Sequence, residues 1–327
     1  MNIKDFRKHF EHIPLVEQTA NQLQFHESRI HWKGLAGASK SVCAAAVCSQ
    51  VPGNHLFILN DKEEAAYFLN NFEGLFPENK NILFYPASYR VPYQLEETDN
   101  ANVVARAEVL DKVNSGKNAW IITYPEALFE KVPTQKNLSK NTFRLEVGKT
   151  YSIDFIHEVL MEYHFEYVDF VYEPGQFSIR GGIVDVFSYS NDNPFRIEFF
   201  GDEVESVRTF DAATQLSINT HKHFSIVPNV QGKMVQEGNG SFFEFAGKNT
   251  TIWIDSVDKT QEILKKEYTR SVEIHSKLPD TVKHTIPSNL YVDQTTFLSE
   301  LKTFSTIELG TDTEFKIGLT CTFDFQP

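Results

Sequence analysis

Uninterrupted apolar stretches are missing from these 327 residues: none reaches the roughly 18 residues that a membrane-spanning helix needs, so no membrane partner is expected. The opening Met1-Asn-Ile-Lys-Asp-Phe-Arg-Lys8 has no apolar core of the secretory kind, and a cytoplasmic location is expected. Cysteine is scarce: Cys43, Cys48 and Cys321 make neither a disulfide framework nor a zinc spacing, and are read as buried thiols. The nearest histidine pairs, His9 with His12 and His221 with His223, lack Cys or acidic partners at a metal spacing, so no metal is expected. Lysine is absent from residues 151 to 210, where twelve Asp or Glu face three Arg within a chain of net charge −13. Such a surface repels phosphate backbones and argues against duplex binding by this stretch. Arg180, Arg196 and Arg208 then stand as isolated cations in acidic surroundings.

What is present is a sizeable apolar inventory, 41% hydrophobic and 13% aromatic, enough for the cores of two or three domains. Residues 29 to 130 alternate short apolar runs with helical patterns, as a doubly wound α/β domain does. Arg29–Trp32, His55–Asn60, Asn81–Tyr85 and Ala119–Thr123 read as buried strands of a parallel sheet of at least four, with a crossover helix over Lys40–Gln50 and Asp61 as N-cap of the next helix. After Pro133 the pattern changes to a helix from about Ser152 to Tyr163 and then to alternating strands. Phe195, Ile197 and Phe199 fall on one face and Arg196, Glu198 and Phe200 on the other, with Gly201-Asp202 as the turn. From about Thr214 an α/β rhythm returns weakly, clearest at Thr250–Asp255. Asn229–Gly240 reads as a loop. The expected organisation is an α/β domain formed by residues 1–132 and 215–327, completing one sheet around an inserted α+β domain at 133–214.

One motif carries the spacing of phosphate chemistry. Gly34-Leu-Ala-Gly37-Ala-Ser39-Lys40-Ser41 follows a strand and opens a helix, the context of a phosphate-binding loop. Such a loop needs glycines so that backbone N–H groups close around phosphate oxygens, a lysine for the terminal phosphates and a hydroxyl for Mg²⁺. Gly34, Lys40 and Ser41 fit. Ser39, however, replaces the glycine before the lysine, and its Cβ disfavours the positive φ that the nest needs. At the second acidic motif Asp255 ends a strand, but Ser256 stands where a water-orienting glutamate is required. Both departures predict a relic loop rather than a working nucleotide site.

The stretches Glu173-Pro-Gly-Gln-Phe-Ser-Ile-Arg-Gly-Gly-Ile-Val-Asp-Val-Phe187 and Phe195-Arg-Ile-Glu-Phe-Phe-Gly-Asp-Glu-Val-Glu-Ser-Val-Arg-Thr-Phe210 resemble the inserted second domain shared by UvrB and the transcription-repair coupling factors. The resemblance is strong over Glu173–Gln215, weaker over Gly34–Pro133 and faint beyond Val230. It implies a degenerate helicase-like first domain split around an insert, and a docking face for UvrA. Carried over residue by residue, it places the contact on Arg180 and Arg196, with Phe187, Phe200 and Glu203 as neighbours. Further arginines of UvrB fall on Ser178 and about Tyr167 here. The short Pro86–Tyr93 segment is like that of the coupling factors and leaves little room for the DNA-clamping hairpin of UvrB.

The resemblance further implies a piece of a longer protein whose missing domains would bind RNA polymerase and translocate on duplex DNA with ATP and Mg²⁺. This fragment itself is expected to be monomeric, to need no cofactor and to catalyse nothing. An active phosphate-loop ATPase and a UvrB-like DNA clamp stay open beside that reading. So does the simpler account of the arginines, in which Arg180 and Arg196 neutralise Asp185, Glu198 and Glu205.

Overall fold

The structure, a computed structural model, describes residues 3–88, 91–93, 100–228, 239–279 and 284–324. It divides into two compact units, one made of Met1–Thr98, Ser115–Val132 and Asn239–Pro327, the other of Asp99–Asn114 and Pro133–Gly238. The fold class is α/β, with a parallel sheet in the first unit and a mixed sheet in the second. The expected loop at Asn229–Gly240 falls, up to residue 238, outside the described residues, as do Tyr89 and Arg90 of the Pro86–Tyr93 segment.

The first unit is built on seven strands. Their order across the sheet is Leu319–Thr322, Arg29–Lys33, Thr306–Glu308, Thr250–Ile254, Asn54–Ile58, Trp120–Thr123 and Ile82–Tyr85. All neighbours run parallel. Four strands come from before residue 124 and three from after 249, so the sheet is closed by chain segments far apart in sequence. Its central strands read as continuous apolar runs because helices cover both faces: Leu56, Phe57, Ile252, Trp253 and Ile254 are fully buried. Trp253 packs against Phe57 and Trp32, with ring centroids 5.2 and 5.1 Å away. The helix Lys62–Leu75 begins where the side chain of Asp61 accepts from the Glu64 N–H, and it turns Ala65, Phe68, Phe72 and Leu75 inward at helical spacing. The expected strand His55–Asn60 stops at Ile58, and beyond it the Asn60 side chain donates to Glu64 and Asp255.

His55 lies in this core as a structural group. Its Nε2 bonds the Val51 carbonyl at 3.0 Å and its Nδ1 accepts from the Trp253 indole at 3.1 Å. Burial lowers its pKa from 6.5 to about 4. A depressed value means that the folded state resists protonation, so the associated stability is whole above pH 6.5 and drains away as pH falls toward 4. The full loss amounts to about 3 kcal/mol. NMR titration should find the His55 ring still neutral at pH 5.5; half-protonation near pH 6.5 would contradict the assignment.

The second unit carries a six-stranded sheet in the order Ser217–His221, Glu203–Phe210, Phe195–Phe200, Ile183–Val186, Gln176–Arg180 and Glu166–Tyr167. Only the last pair is parallel. One face is the core: Phe177, Val184, Ile197, Val204 and Val207 pack with Ile156 and Leu160 of the helix Ile153–Glu162. A ribbon of Phe143–Glu146 with His223–Ile226 adds Leu145 and Phe224, the latter stacked 4.2 Å from Phe195. The unit runs to Gly238 rather than to residue 214, because Ser217–His221 and His223–Ile226 pair with Glu203–Phe210 and Phe143–Glu146. Helix Asn100–Asn114 also groups with this unit, beside the helix Gln135–Lys140.

Candidate functional site

The phosphate-loop motif sits where its sequence context places it, between Arg29–Lys33 and the helix Ala38–Cys48. Its polar side chains bond within the protein. The Ser39 hydroxyl donates to the Ala36 carbonyl at 2.7 Å and accepts the Ala36 N–H at 3.0 Å, so it takes a backbone donor that a phosphate would need. Ser41 is buried, with its hydroxyl donating to Ala38 O at 2.9 Å. Lys40 Nζ donates to Asp255 Oδ1 at 2.9 Å, and Asn60 holds the other oxygen at 3.2 Å. Burial pushes the Asp255 carboxyl upward and Lys40 opposes the shift. Ser256, in the place of a glutamate, caps the helix Val257–His275 through the Lys259 N–H. Gly37 adopts φ 53° at the N-cap with no neighbour near its Cβ direction, whereas Gly34, at φ 81°, lies against the backbone of Phe323. The cleft beside Lys40 has a volume of about 410 Å³ and is lined by six carboxylates and two lysines. Around this loop the lysine is paired, the hydroxyls are turned inward and the carboxylates of the cleft set a field that repels phosphate.

The arginine pair lies on the outer face of the second unit's sheet. Register places Ser178, Asp185, Arg196 and Arg208 side by side across four strands. The two-residue turn Gly181-Gly182, with Gly181 at φ 59°, brings Arg180 back beside Ile183. Asp185 is wholly buried and is the hub: Arg196 grips it with Nε and a terminal nitrogen, each at 2.8 Å, and Arg180 donates at 2.6 Å. The pairing raises the Arg196 pKa, the Asp185 hydrogen bonds being the main cause. Glu198 is held instead by Arg208 and by the Ser206 hydroxyl at 2.7 Å. The neutralising account of the arginines is thus realised at Asp185. Arg180 nevertheless keeps 38% of its side chain exposed, against 17% for Arg196.

The aromatic neighbours are distributed differently from expectation. Arg196 lies 4.5 Å from the ring centroid of buried Phe210, not against Phe200. Phe200 stands out at 82% exposure, beside exposed Glu203, its cross-strand partner. Phe187 does not reach the surface: it packs with Val171 and Phe210 beneath the 168–172 segment and supports the face instead of presenting a contact. The exposed cation and ring that do meet are Arg180 and Phe170, at 5.0 Å. Sequence reasoning missed Phe170. The alternation of Val168-Asp-Phe-Val-Tyr172, with Val171 buried and Phe170 and Tyr172 exposed, is the signal that could have found it. Of the two positions where UvrB carries further arginines, Ser178 is buried and donates to Asp169 O at 3.0 Å. Tyr167 lies with Phe177 on the helix side of the sheet.

Comparison with known proteins bears on the same segment. The family model described as the UvrB interaction domain matches residues 143–231. The transcription-repair-coupling factor of Bacillus subtilis (strain 168) is 27% identical over 195 residues, 60% of this chain and 16% of that protein. That of Rickettsia conorii is 31% identical over 191 residues, 57% of this chain and 17% of its own. The UvrABC system protein B of Streptococcus uberis is 26% identical over 227 residues, 65% of this chain and 34% of its own. The chain thus spans well under half the length of the curated relatives it matches. It resembles transcription-repair coupling factors, and the match to the UvrB interaction domain model falls on residues 143–231.

Proposed function

We propose that the second unit is a docking module for UvrA, presented by the outer sheet face through Arg180, Phe170, Phe200 and Glu203, with Arg196 positioning that face from beneath. One observation carries the reading. Within the segment that matches the UvrB interaction domain, an arginine, two aromatic rings and a carboxylate remain exposed on a sheet stiffened by a buried ion-pair hub. Interfaces draw their energy from arginine and aromatic anchors held in place before binding. In a full-length coupling factor this module would bring UvrA to lesions in transcribed DNA, while other domains would engage RNA polymerase and move on duplex DNA with ATP. The fragment itself serves recruitment, as a monomer, without cofactor or catalysis.

Calorimetry with UvrA from the same source tests this. Arg180→Ala and Phe200→Ala should each weaken binding at least tenfold, about 1.4 kcal/mol, while both variants stay folded at the temperature of the titration. Wild-type affinity in both variants would remove the face from the account. The competing enzymatic reading predicts micromolar ATP binding that Lys40→Ala abolishes. The committed Lys40–Asp255 pair predicts no saturable ATP binding below the millimolar range.

A further inference from the structure

We infer that the outer face of the second unit holds a further subsite, an apolar ledge of Phe170, Tyr172, Leu216 and Ile218 that takes an apolar side chain of the partner flanked by lysine or arginine. The subsite rests on the docking reading of that face and specifies what UvrA must carry there.

Two chain segments meet to form the ledge. In the first, Val171 is fully buried and packs with Phe187 and Phe210, so alternation turns Phe170 and Tyr172 outward, and both are exposed. In the second, Leu216 is 68% exposed and Ile218 also lies open in the edge strand Ser217–His221. Register sets Thr220 beside Arg208, so Ile218, two residues back, falls on the outer face. Gln215 ties the two segments together. Its side-chain nitrogen donates to the Val171 carbonyl at 3.3 Å and to the Ala212 carbonyl at 2.8 Å, and its side-chain oxygen accepts from Arg196 at 3.4 Å. It does so at φ 61°, a left-handed conformation that a glutamine keeps only where its surroundings hold it. The turn that presents Leu216 is thereby held against the segment that presents Phe170 and Tyr172, the preorganisation that interface anchors need. Four large apolar side chains gathered in solvent mark a contact surface, unlike single exposed residues scattered over a monomer.

The charge of the rim selects the occupant. Residues 151 to 210 hold twelve Asp or Glu against three Arg and no Lys. Arg180 and Arg196 are taken up by Asp185, and Arg208 by Glu198. Asp169 and Glu173, which flank Phe170 and Tyr172 in the chain, are exposed and enter no ion pair among the described residues. A second copy of this chain, with its net charge of −13, would bring like charge to like charge across the ledge. A cation beside an apolar side chain answers both demands, since its charge meets Asp169 and Glu173 while its neighbour covers the ledge.

Calorimetry of this chain with UvrA from the same source, at low and at high salt, tests the subsite. Leu216→Ser should weaken binding about fivefold at both salt concentrations. Glu173→Lys should weaken it about fivefold at low salt and less at high salt, because the lost attraction is screened. Glu158→Lys makes the same charge change on the helix Ile153–Glu162, against the opposite face of the sheet, and should leave the affinity unchanged. All three positions are exposed, so the variants keep the fold. Unchanged affinity in Leu216→Ser and Glu173→Lys, with Arg180→Ala still weakened, would overturn the subsite and leave the docking reading standing. Absence of binding by the wild type would remove both. Equal weakening by Glu173→Lys and Glu158→Lys would reduce the rim to net charge and overturn the basic occupant. Self-association of the chain alone in sedimentation, dispersed by Leu216→Ser, would give the ledge to a second copy and overturn it as well.

Discussion

Replacing Asp185 by alanine should destabilise the second unit by about 3–5 kcal/mol, the cost of breaking a buried ion pair from one side. The carboxylate has no exposed surface and serves two arginines at once. Without it Arg196, 17% exposed over the Phe210 ring, keeps only long contacts with Gln215, at 3.4 and 3.5 Å, in place of its bidentate grip. Arg180→Ala should cost less, about 1–2 kcal/mol, because Asp185 keeps the two-pronged grip of Arg196 and a side chain already 38% exposed gives up one bond to Asp185, one to the Asp169 carbonyl and the contact with Phe170. Urea melts of the two variants separate the roles. A large loss for Asp185→Ala with a small one for Arg180→Ala makes Asp185 structural and leaves Arg180 free to serve a partner. Equal losses would mean that Arg180 is itself part of the scaffold.

Gly34→Ala should cost about 3 kcal/mol or more, while Gly37→Ala should cost about 1 kcal/mol. At Gly34, φ is +81° and a Cβ would fall 2.1 Å from the Phe323 carbonyl oxygen, so the edge strand Leu319–Thr322 would have to move. That strand is tied here by the bond from Phe323 N to Lys33 O at 2.8 Å. At Gly37, φ is +53° with open space around the Cβ direction, leaving only backbone strain. Thermal melts of both variants check the contrast. Its meaning is functional as well: a glycine that a nucleotide loop would hold for phosphate is held here for packing. If Gly37→Ala proved the costlier change, the loop would have a demand on Gly37 that packing does not explain.

Much of this architecture was legible because burial leaves a period in the sequence. Leu56–Ile58, Ile121-Ile122 and Ile252–Ile254 are apolar without interruption, the mark of strands covered on both faces, and each is a parallel strand. Phe195–Phe200 alternates strictly, and its two faces separate as the alternation requires. The strand Ser217–His221 was invisible for the converse reason: it is an edge, exposed at four of five positions, and no face imposes a pattern on it. The boundary expected at residue 214 moved with it.

The site was legible by residue type but not by partner. That Arg180 and Arg196 stand alone among acids could be read from the chain, whereas their convergence on Asp185 depends on the pairing of three strands. Phe187 and Phe200 look alike in sequence. A chain segment crossing the sheet, carrying Val171, buries one and leaves the other in solvent. Ser39 was readable as a departure, but its capture of the Ala36 N–H is a matter of geometry.

The central claim is that the outer face of the second unit meets UvrA, and amide hydrogen exchange of this chain with and without UvrA tests it most directly. The account predicts new protection in Val168–Tyr172, Gln176–Arg180 and the Phe200–Glu203 turn, with the first unit's sheet unchanged. Binding accompanied by protection elsewhere, and none on this face, would contradict it.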